Sequence, residues 1–223
     1  IDFAFVDKYE PDAVLLAWQG GMIGGRGTAD LLLGNANPSG KLSDTVAYSL
    51  SDYPSDRNFS DGPEDIYQED VYVGYRYFST FAPECVRYAF GYGLSYTEFA
   101  ICITSVKEEK DTVTFNGKVR NTGKFAGKEV VMVYVNPPRG LLGRPLRMLG
   151  GFTKTDILAP GEEADFEIIV NLEYITAYDD SGITGHAHCE LLEAGEYQWY
   201  VGNDVSRAEK VATTVIDELR VFR

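Results

Sequence analysis

The residues best equipped for chemistry stand in one acidic run, "SDGPEDIYQED" at 60–70, which carries Asp61, Glu64, Asp65, Glu69 and Asp70. Paired carboxylates cleave a glycosidic bond when they are held several ångströms apart, one of them kept protonated by its surroundings. This run could supply one such group. Tyr67, Tyr72, Tyr75 and Arg76, within or just beyond it, could line a sugar site, because phenol and guanidinium groups bind hydroxyls and aromatic rings stack on sugar faces. A solvated acidic loop is the competing reading, and the run alone does not separate the two.

Other constellations carry less. Glycines at 20, 21, 24, 25 and 27 precede "TADLLLG", and backbone amides at a helix start attract anions. A phosphate loop from Gly20 would need Lys at 26 and Ser or Thr at 27, where Arg26 and Gly27 stand; a dinucleotide fingerprint would need Gly at 30, where Asp30 stands. Tight packing of the turn on other backbone is the expectation instead. His186 and His188 would share a face on a strand, with Asp179 and Cys189 near. No third ligand has convincing spacing for a metal, so ordinary hydrogen-bonded histidines are expected, with no metal and no cofactor. Cys85, Cys102 and Cys189 form neither a disulfide framework nor a CxxC pair. They read as free thiols and lean toward a reducing compartment such as a bacterial cytoplasm.

The elements that must position these groups fall into two textures. In the front part, "AVLLAW" at 13–18 is a short apolar run suited to a strand buried on both faces of a parallel sheet. Leu31, Leu32 and Leu33 suggest a short helix stopped at Gly34. "DVYVGYRYF" at 70–78 alternates like a strand. After Phe99, apolar alternation recurs in "AICITSV", "TVTFNGKV", "EVVMVYV", "DFEIIV", "YQWYVG" and "VATTVI", separated by turn signals such as Asn121-Thr122-Gly123 and Pro160-Gly161. That spacing predicts an antiparallel immunoglobulin-like sandwich, with Phe166 and Trp199 in its core.

The fold class is therefore an incomplete α/β sandwich, residues 1–98, followed by an all-β immunoglobulin-like sandwich, residues 99–223. "FGYGLSYTEF" at 90–99 lies at the junction. Its aromatics and glycines predict a packed seam rather than a flexible linker. The front part has too few strands to complete a parallel sheet. Its neighbours must come from sequence before Ile1 or from another chain, as in a homo-oligomer.

Composition sets the outer limits. The 223 residues are 44% hydrophobic, enough for a real core. A net charge of -14 argues against nucleic acid as a partner. No apolar run approaches the roughly 18 residues of a membrane span, so a membrane is not an expected partner either.

The ordered blocks resemble glycoside hydrolase family 3, the β-glucosidase and β-xylosidase group. They are "AWQGGMIGGRGTADLLLGNANPSGKLSDT", "EDVYVGYRYF", "YAFGYGLSYTEF", "VRNTGKFAGKEVVMVYVNPP", "RPLRMLGGFTKTDILAPGEEADFEI" and "AGEYQWYVGND". The resemblance covers nearly the whole chain. It implies the C-terminal portion of the family's α/β-sandwich domain followed by its fibronectin type III-like domain. It further implies part of a retaining, exo-acting β-glycosidase whose partners are a β-linked oligosaccharide or glycoside and the missing barrel and sandwich segments of the same protein. The family's acid/base glutamate lies earlier in the sandwich domain and its nucleophilic aspartate in the barrel, so no catalytic carboxylate has a matching position here. Glu69, Arg76, Tyr72 and Asp61 are then the candidates for substrate binding and positioning. Two departures stand out. Met22-Ile23 replaces the Gln-Glu of many relatives, and Arg147-Met148 replaces Lys-Glu before "LGGF". "YSLSDYPSDRNF" is similar to relatives in which these two domains precede the barrel. A non-catalytic module that holds glycans or a protein partner is the alternative.

Overall fold

The computed structural model describes residues 2–58, 64 and 66–222. The described residues of the front part form three α-helices, α1 (Phe5–Tyr9), α2 (Gly24–Leu32) and α3 (Tyr75–Phe81), short 3-10 turns, and one antiparallel strand pair, β1 (Val46–Ala47) with β2 (Val86–Tyr88). Ten strands follow: β3 (Phe99–Glu108), β4 (Thr112–Asn121), β5 (Val130–Asn136), β6 (Met148–Lys154), β7 (Glu163–Asn171), β8 (Ala177–Asp179), β9 (Cys189–Leu192), β10 (Gly195–Gly202), β11 (Glu209–Ile216) and β12 (Arg220–Val221). They form a four-stranded sheet in the order β11-β10-β5-β6 facing a three-stranded sheet β3-β4-β7, with a small sheet β12-β9-β8. All pairings are antiparallel.

The sandwich follows the alternation read from sequence. Val113, Phe115 and Val119 of β4 and Phe166, Ile168 and Val170 of β7 point inward from one sheet; Val131, Val133, Val135, Trp199 and Val201 meet them from the other. Trp199 is fully buried, 5.3 Å from the Phe115 ring centroid, and its indole N–H donates to Thr214 Oγ1 at 2.9 Å. Phe166 is also buried. Strand β6 is missing from the periodicity because Gly150 and Gly151 interrupt it. A Cβ at 150 would lie 3.1 Å from Val170 and 3.4 Å from Trp199, so a larger residue would press the two sheets apart.

The front part departs from its expectations in four places. No strand forms over 13–18, and Val14, Leu15 and Trp18 are exposed. A parallel strand exists only by pairing, and the described residues offer this segment no neighbour. Residues 70–78 are a turn and then α3 rather than a strand. Tyr75, Phe78 and Ala82 recur at helical spacing, and this puts Phe78 and Ala82 into a cluster with Ala47. The helix expected at 31–33 is α2, which begins seven residues earlier at Gly24 and ends before Gly34, at φ +74°. The loop glycines are also split. A Cβ at Gly20 would meet Gly24 Cα at 2.7 Å, but at Gly24, Gly25 and Gly27 it would meet nothing within 4 Å. The close backbone packing expected of this loop therefore occurs at Gly20 alone.

The seam is packed, as "FGYGLSYTEF" suggests. Gly91 takes φ +87°, and a Cβ there would lie 2.8 Å from Asp204 Cα. Its N–H donates to Leu42 O at 2.8 Å, and Leu42 N–H donates to Tyr92 O at 2.8 Å. Phe90 stacks on Tyr75 at 4.7 Å, and both rings meet Tyr134 edge-on at 6.5 and 6.4 Å. Val130, Met132 and Tyr134, on the outer face of β5, are thereby covered by Ala89, Phe90 and Tyr75. Lys41 and Glu129 form a largely buried ion pair across the seam at 2.9 Å. The other Glu129 oxygen accepts from Asn203 Nδ2 at 3.0 Å.

Within the sandwich, Asp179 closes the 180–188 turn. Its carboxylate accepts from Thr184 Oγ1 at 2.6 Å and from the amides of Gly182, Ile183 and Thr184 at 2.7, 3.2 and 2.8 Å. The Thr184 hydroxyl first, then these amides, hold its pKa well below the ordinary aspartate value against the opposing effect of burial. His186 and His188 are exposed on this turn rather than paired on a strand face.

Two outcomes follow from this architecture. Glu129→Ala leaves Lys41 without its buried counter-charge and should cost about 3–5 kcal/mol of unfolding free energy. Urea titration should find the double exchange Lys41→Met/Glu129→Leu milder than that single change, and a Glu129→Ala midpoint equal to wild type would show the pair to be energetically idle. Asp179 has a depressed folded pKa, so its contribution is complete above the unfolded value of about 4 and is lost as pH falls through the folded one. The stability gap between wild type and Asp179→Asn should hold steady from neutral pH to about 5 and close on further acidification. A gap that widens in acid would contradict the assignment.

Candidate active-site wall

The acidic run leads into a depression of about 350 Å³ on the front part. Its floor is set by local geometry. Ser49 caps the 3-10 turn Leu50–Asp52, its Oγ accepting from Ser51 N–H while Asp52 Oδ2 accepts from Ser49 N–H at 3.0 Å. Next to this turn, the Tyr53 hydroxyl donates to Thr45 O at 2.8 Å and accepts from Ala47 N–H at 3.0 Å. Burial raises the Tyr53 pKa, so the phenol stays neutral and holds both bonds. Cys85 is likewise held protonated, by desolvation first and then by the Asp52 charge.

The aromatic side comes from α3 and the turn before it. Tyr72 packs against Phe81 at 4.9 Å and Tyr77 against Phe81 at 5.6 Å, and all three rings line the depression. Tyr77 and Phe81 are four residues apart, one helical turn, which places them on one face. The polar side is Asp52, Arg57, Gln68 and Glu69. Asn58 Nδ2 donates to Gln68 Oε1, so the two flanks of the depression are joined. Carboxylate, amide and guanidinium groups opposite a cluster of rings can hydrogen-bond a sugar's hydroxyls while stacking on its apolar face.

Of the residues singled out in the sequence, Glu69 and Tyr72 meet in this depression. Arg76 does not line it. Its charge acts instead on the buried Arg144, whose pKa is lowered mainly by desolvation. No ion pair joins Glu69 to Arg76 among the described residues. Asp61 lies outside the described residues. Sequence reasoning missed Asp52, Arg57, Tyr77 and Phe81. The Ser49-to-Asp52 capping pattern carried a signal for the first, and reading 71–78 as a strand hid the helical spacing of the two rings.

A second groove, about 500 Å³, runs between residues 15–17 and α2. It is bordered by Leu15, Ile23 and Leu31, and Met22, Ile23, Leu32 and Leu33 are exposed around it. No side chain caps the start of α2. Among the described residues no cluster of three or more His, Cys, Asp or Glu side chains could hold a metal, and no helix is long and apolar enough to cross a membrane.

Comparison with known proteins agrees with this architecture. The family described as glycosyl hydrolase family 3 C-terminal domain matches residues 2–96, and the fibronectin type III-like domain matches residues 129–205. A β-glucosidase of Ruminococcus albus is 52% identical over 222 residues, which is 100% of this chain and 23% of that protein. The crystal structure of a β-glucosidase from Paenibacillus barengoltzii superposes with a TM-score of 0.89 at 47% identity, covering 92% of this chain and 23% of that one. The β-glucosidase 3B of Thermotoga neapolitana in complex with glucose gives 0.87 at 37% identity, over 97% of this chain and 30% of that one. The chain thus spans about a quarter of the length of these relatives. An α/β portion joined through a packed seam to an immunoglobulin-like sandwich, matched at this identity along its whole length, belongs to glycoside hydrolase family 3.

Proposed function

We propose that the intact protein is a retaining, exo-acting β-glucosidase and that this chain supplies one wall of its sugar-binding cleft. The observation that carries the reading is the depression itself. Rings of Tyr72, Tyr77 and Phe81 face Asp52, Arg57 and Glu69, on a chain whose relatives are named β-glucosidases, one of them solved with glucose. Residues 1–98 serve as the C-terminal portion of the α/β-sandwich domain and residues 99–223 as the fibronectin type III-like domain.

The role of this wall is to bind and orient. Glu69 contacts substrate hydroxyls, the Tyr72 ring stacks on the sugar, and together they hold the glycoside against the reacting carboxylates, which the family pattern assigns to the missing barrel and the earlier sandwich segment. Arg76 acts through α3 as a positioning group. Binding energy realised on the non-reacting part of a substrate lowers the barrier only when it fixes the reacting bond in place. The non-catalytic scaffold reading has no comparable support, since the matched relatives are enzymes along the same residues.

The groove beside α2 belongs to the same picture. Exposed apolar surface of this extent marks a contact, and the remaining three quarters of the protein supply its cover. The chain produced alone should therefore bind a hydrophobic dye or self-associate more than the intact protein does. A monodisperse, dye-silent chain would count against the borrowed surface.

The direct test uses the intact protein. Glu69→Gln should lower kcat/KM for an aryl β-glucoside by about tenfold, close to 1.4 kcal/mol of transition-state stabilisation. The melting temperature should stay within about 2 °C, as expected of a surface substitution. Lost stability with normal kinetics in the folded fraction would make Glu69 a structural residue and sink the reading.

A further inference from the structure

The wall of the depression is not built by the front part alone. The Tyr72 hydroxyl donates to the carbonyl of Gly143, in the 137–147 loop that joins β5 to β6 in the fibronectin type III-like module. Two further bonds follow the same path: Leu146 N–H donates to Thr80 Oγ1 at 2.9 Å and Leu149 N–H to the Tyr75 hydroxyl at 2.8 Å. Helix α3, with the turn before it, is thus tied to the 137–147 loop at two points and to the start of β6 at a third.

The loop has little sheet structure of its own; the buried Arg144 ties its later half to the Ile175 carbonyl, and Glu193 holds the backbone amides of its tip. Glu193, only 6% exposed, accepts from Leu141 N–H at 2.6 Å and from Leu142 N–H at 3.4 Å. A Cβ at Gly140 would fall 2.2–2.4 Å from this carboxylate, so the loop backbone lies directly on it. Glu193 is itself fixed by its carbonyl, which accepts the Tyr197 hydroxyl at 3.0 Å. Backbone amides donating to an ionised carboxylate make bonds roughly twice as strong as neutral ones.

We infer that Glu193 is a positioning residue for the sugar-binding wall, acting through the 137–147 loop and the Tyr72 hydroxyl. The fibronectin type III-like module then sets the geometry of substrate binding as well as supporting the fold. The chain of contacts is short: carboxylate to loop amides, loop carbonyl to Tyr72, Tyr72 ring to Phe81 and the depression. Losing either polar link frees the Tyr72 ring to tilt away from the position where a sugar would meet it. The effect falls on substrate binding, because no reacting atom is touched. The inference rests on the reading of the depression as a sugar site.

The test compares three variants in the intact enzyme with an aryl β-glucoside. Tyr72→Phe keeps the ring and removes only the hydroxyl; Glu193→Ala removes the loop anchor; Glu193→Gln retains an acceptor oxygen. Tyr72→Phe and Glu193→Ala should each raise KM by about five- to tenfold with kcat within about twofold, the pattern of lost ground-state positioning. Their combination should be no worse than the stronger single change, since both cut one path, and Glu193→Gln should recover most of the loss. An unchanged KM in Tyr72→Phe overturns the inference even if Glu193→Ala fails to fold. A lower melting temperature with normal KM in the Glu193 variants also overturns it, leaving Glu193 a structural residue. If Glu69→Gln lowers kcat/KM while the link variants leave KM unchanged, only this inference falls; if Glu69→Gln leaves kcat/KM unchanged as well, the sugar-site reading falls with it.

Discussion

The structure depends on one strand that is buried on both faces. Residues 130–135 are six apolar side chains in succession, all of them buried. A strand sends alternate side chains to opposite faces, so no single core can desolvate them all. Val131, Val133 and Val135 enter the sandwich core, and Val130, Met132 and Tyr134 face the front part. Without the front part, half of the most apolar strand in the sandwich would face water. The two bodies are held together by the same desolvation that holds each one internally.

The polar groups at the seam give this contact its geometry. A hydrophobic face is tolerant of sliding, whereas Lys41 and Glu129, the Gly91 backbone on Asp204 and the tyrosine hydroxyls of Tyr72 and Tyr75 each fit one arrangement. Helix α3 profits most. One side packs Phe78 into the small front cluster, while the Thr80 and Tyr75 hydroxyls accept amides of the 146–149 segment. The remaining face presents Tyr77 and Phe81 to the depression. A helix anchored on two sides holds its exposed rings in one arrangement, which is what a binding wall requires.

The front part shows the opposite condition. Its groove beside α2 is bordered by exposed apolar side chains, Gly24, Gly25 and Gly27 of α2 face open space, and among the described residues the 13–18 segment has no strand to pair with. These features fit a body whose sheet is completed by the larger remainder of the protein, consistent with a chain about a quarter as long as its relatives. Good local signals do not produce a strand when the partner is missing, because sheet hydrogen bonds are made between segments and not within them.

What the sequence by itself determined is the sandwich, the seam and the family. Period-two alternation survives in β4 and β7, each with one face in the core and the other toward solvent, and in β10, whose Tyr197, Trp199 and Val201 enter the core while Tyr200 packs at the seam; the turn residues between them mark the reversals. The glycines and aromatics of 90–99 announced close packing because few other residues combine bulk with tolerance for tight backbone approach. Tertiary structure alone decided the rest. Residues 71–78 satisfy strand and helix periods equally in their apolar positions, and only the cluster around Phe78 selects the helix. Asp52, Arg57 and Glu69 come from two segments whose convergence no local spacing encodes. Arg76 follows Glu69 in sequence by only a few residues yet does not line the depression, because the helical turn of α3 sends its side chain elsewhere. The Glu193 anchor lies more than a hundred residues from the Tyr72 it serves, and such a link is written in backbone positions that exist only after both sheets have closed.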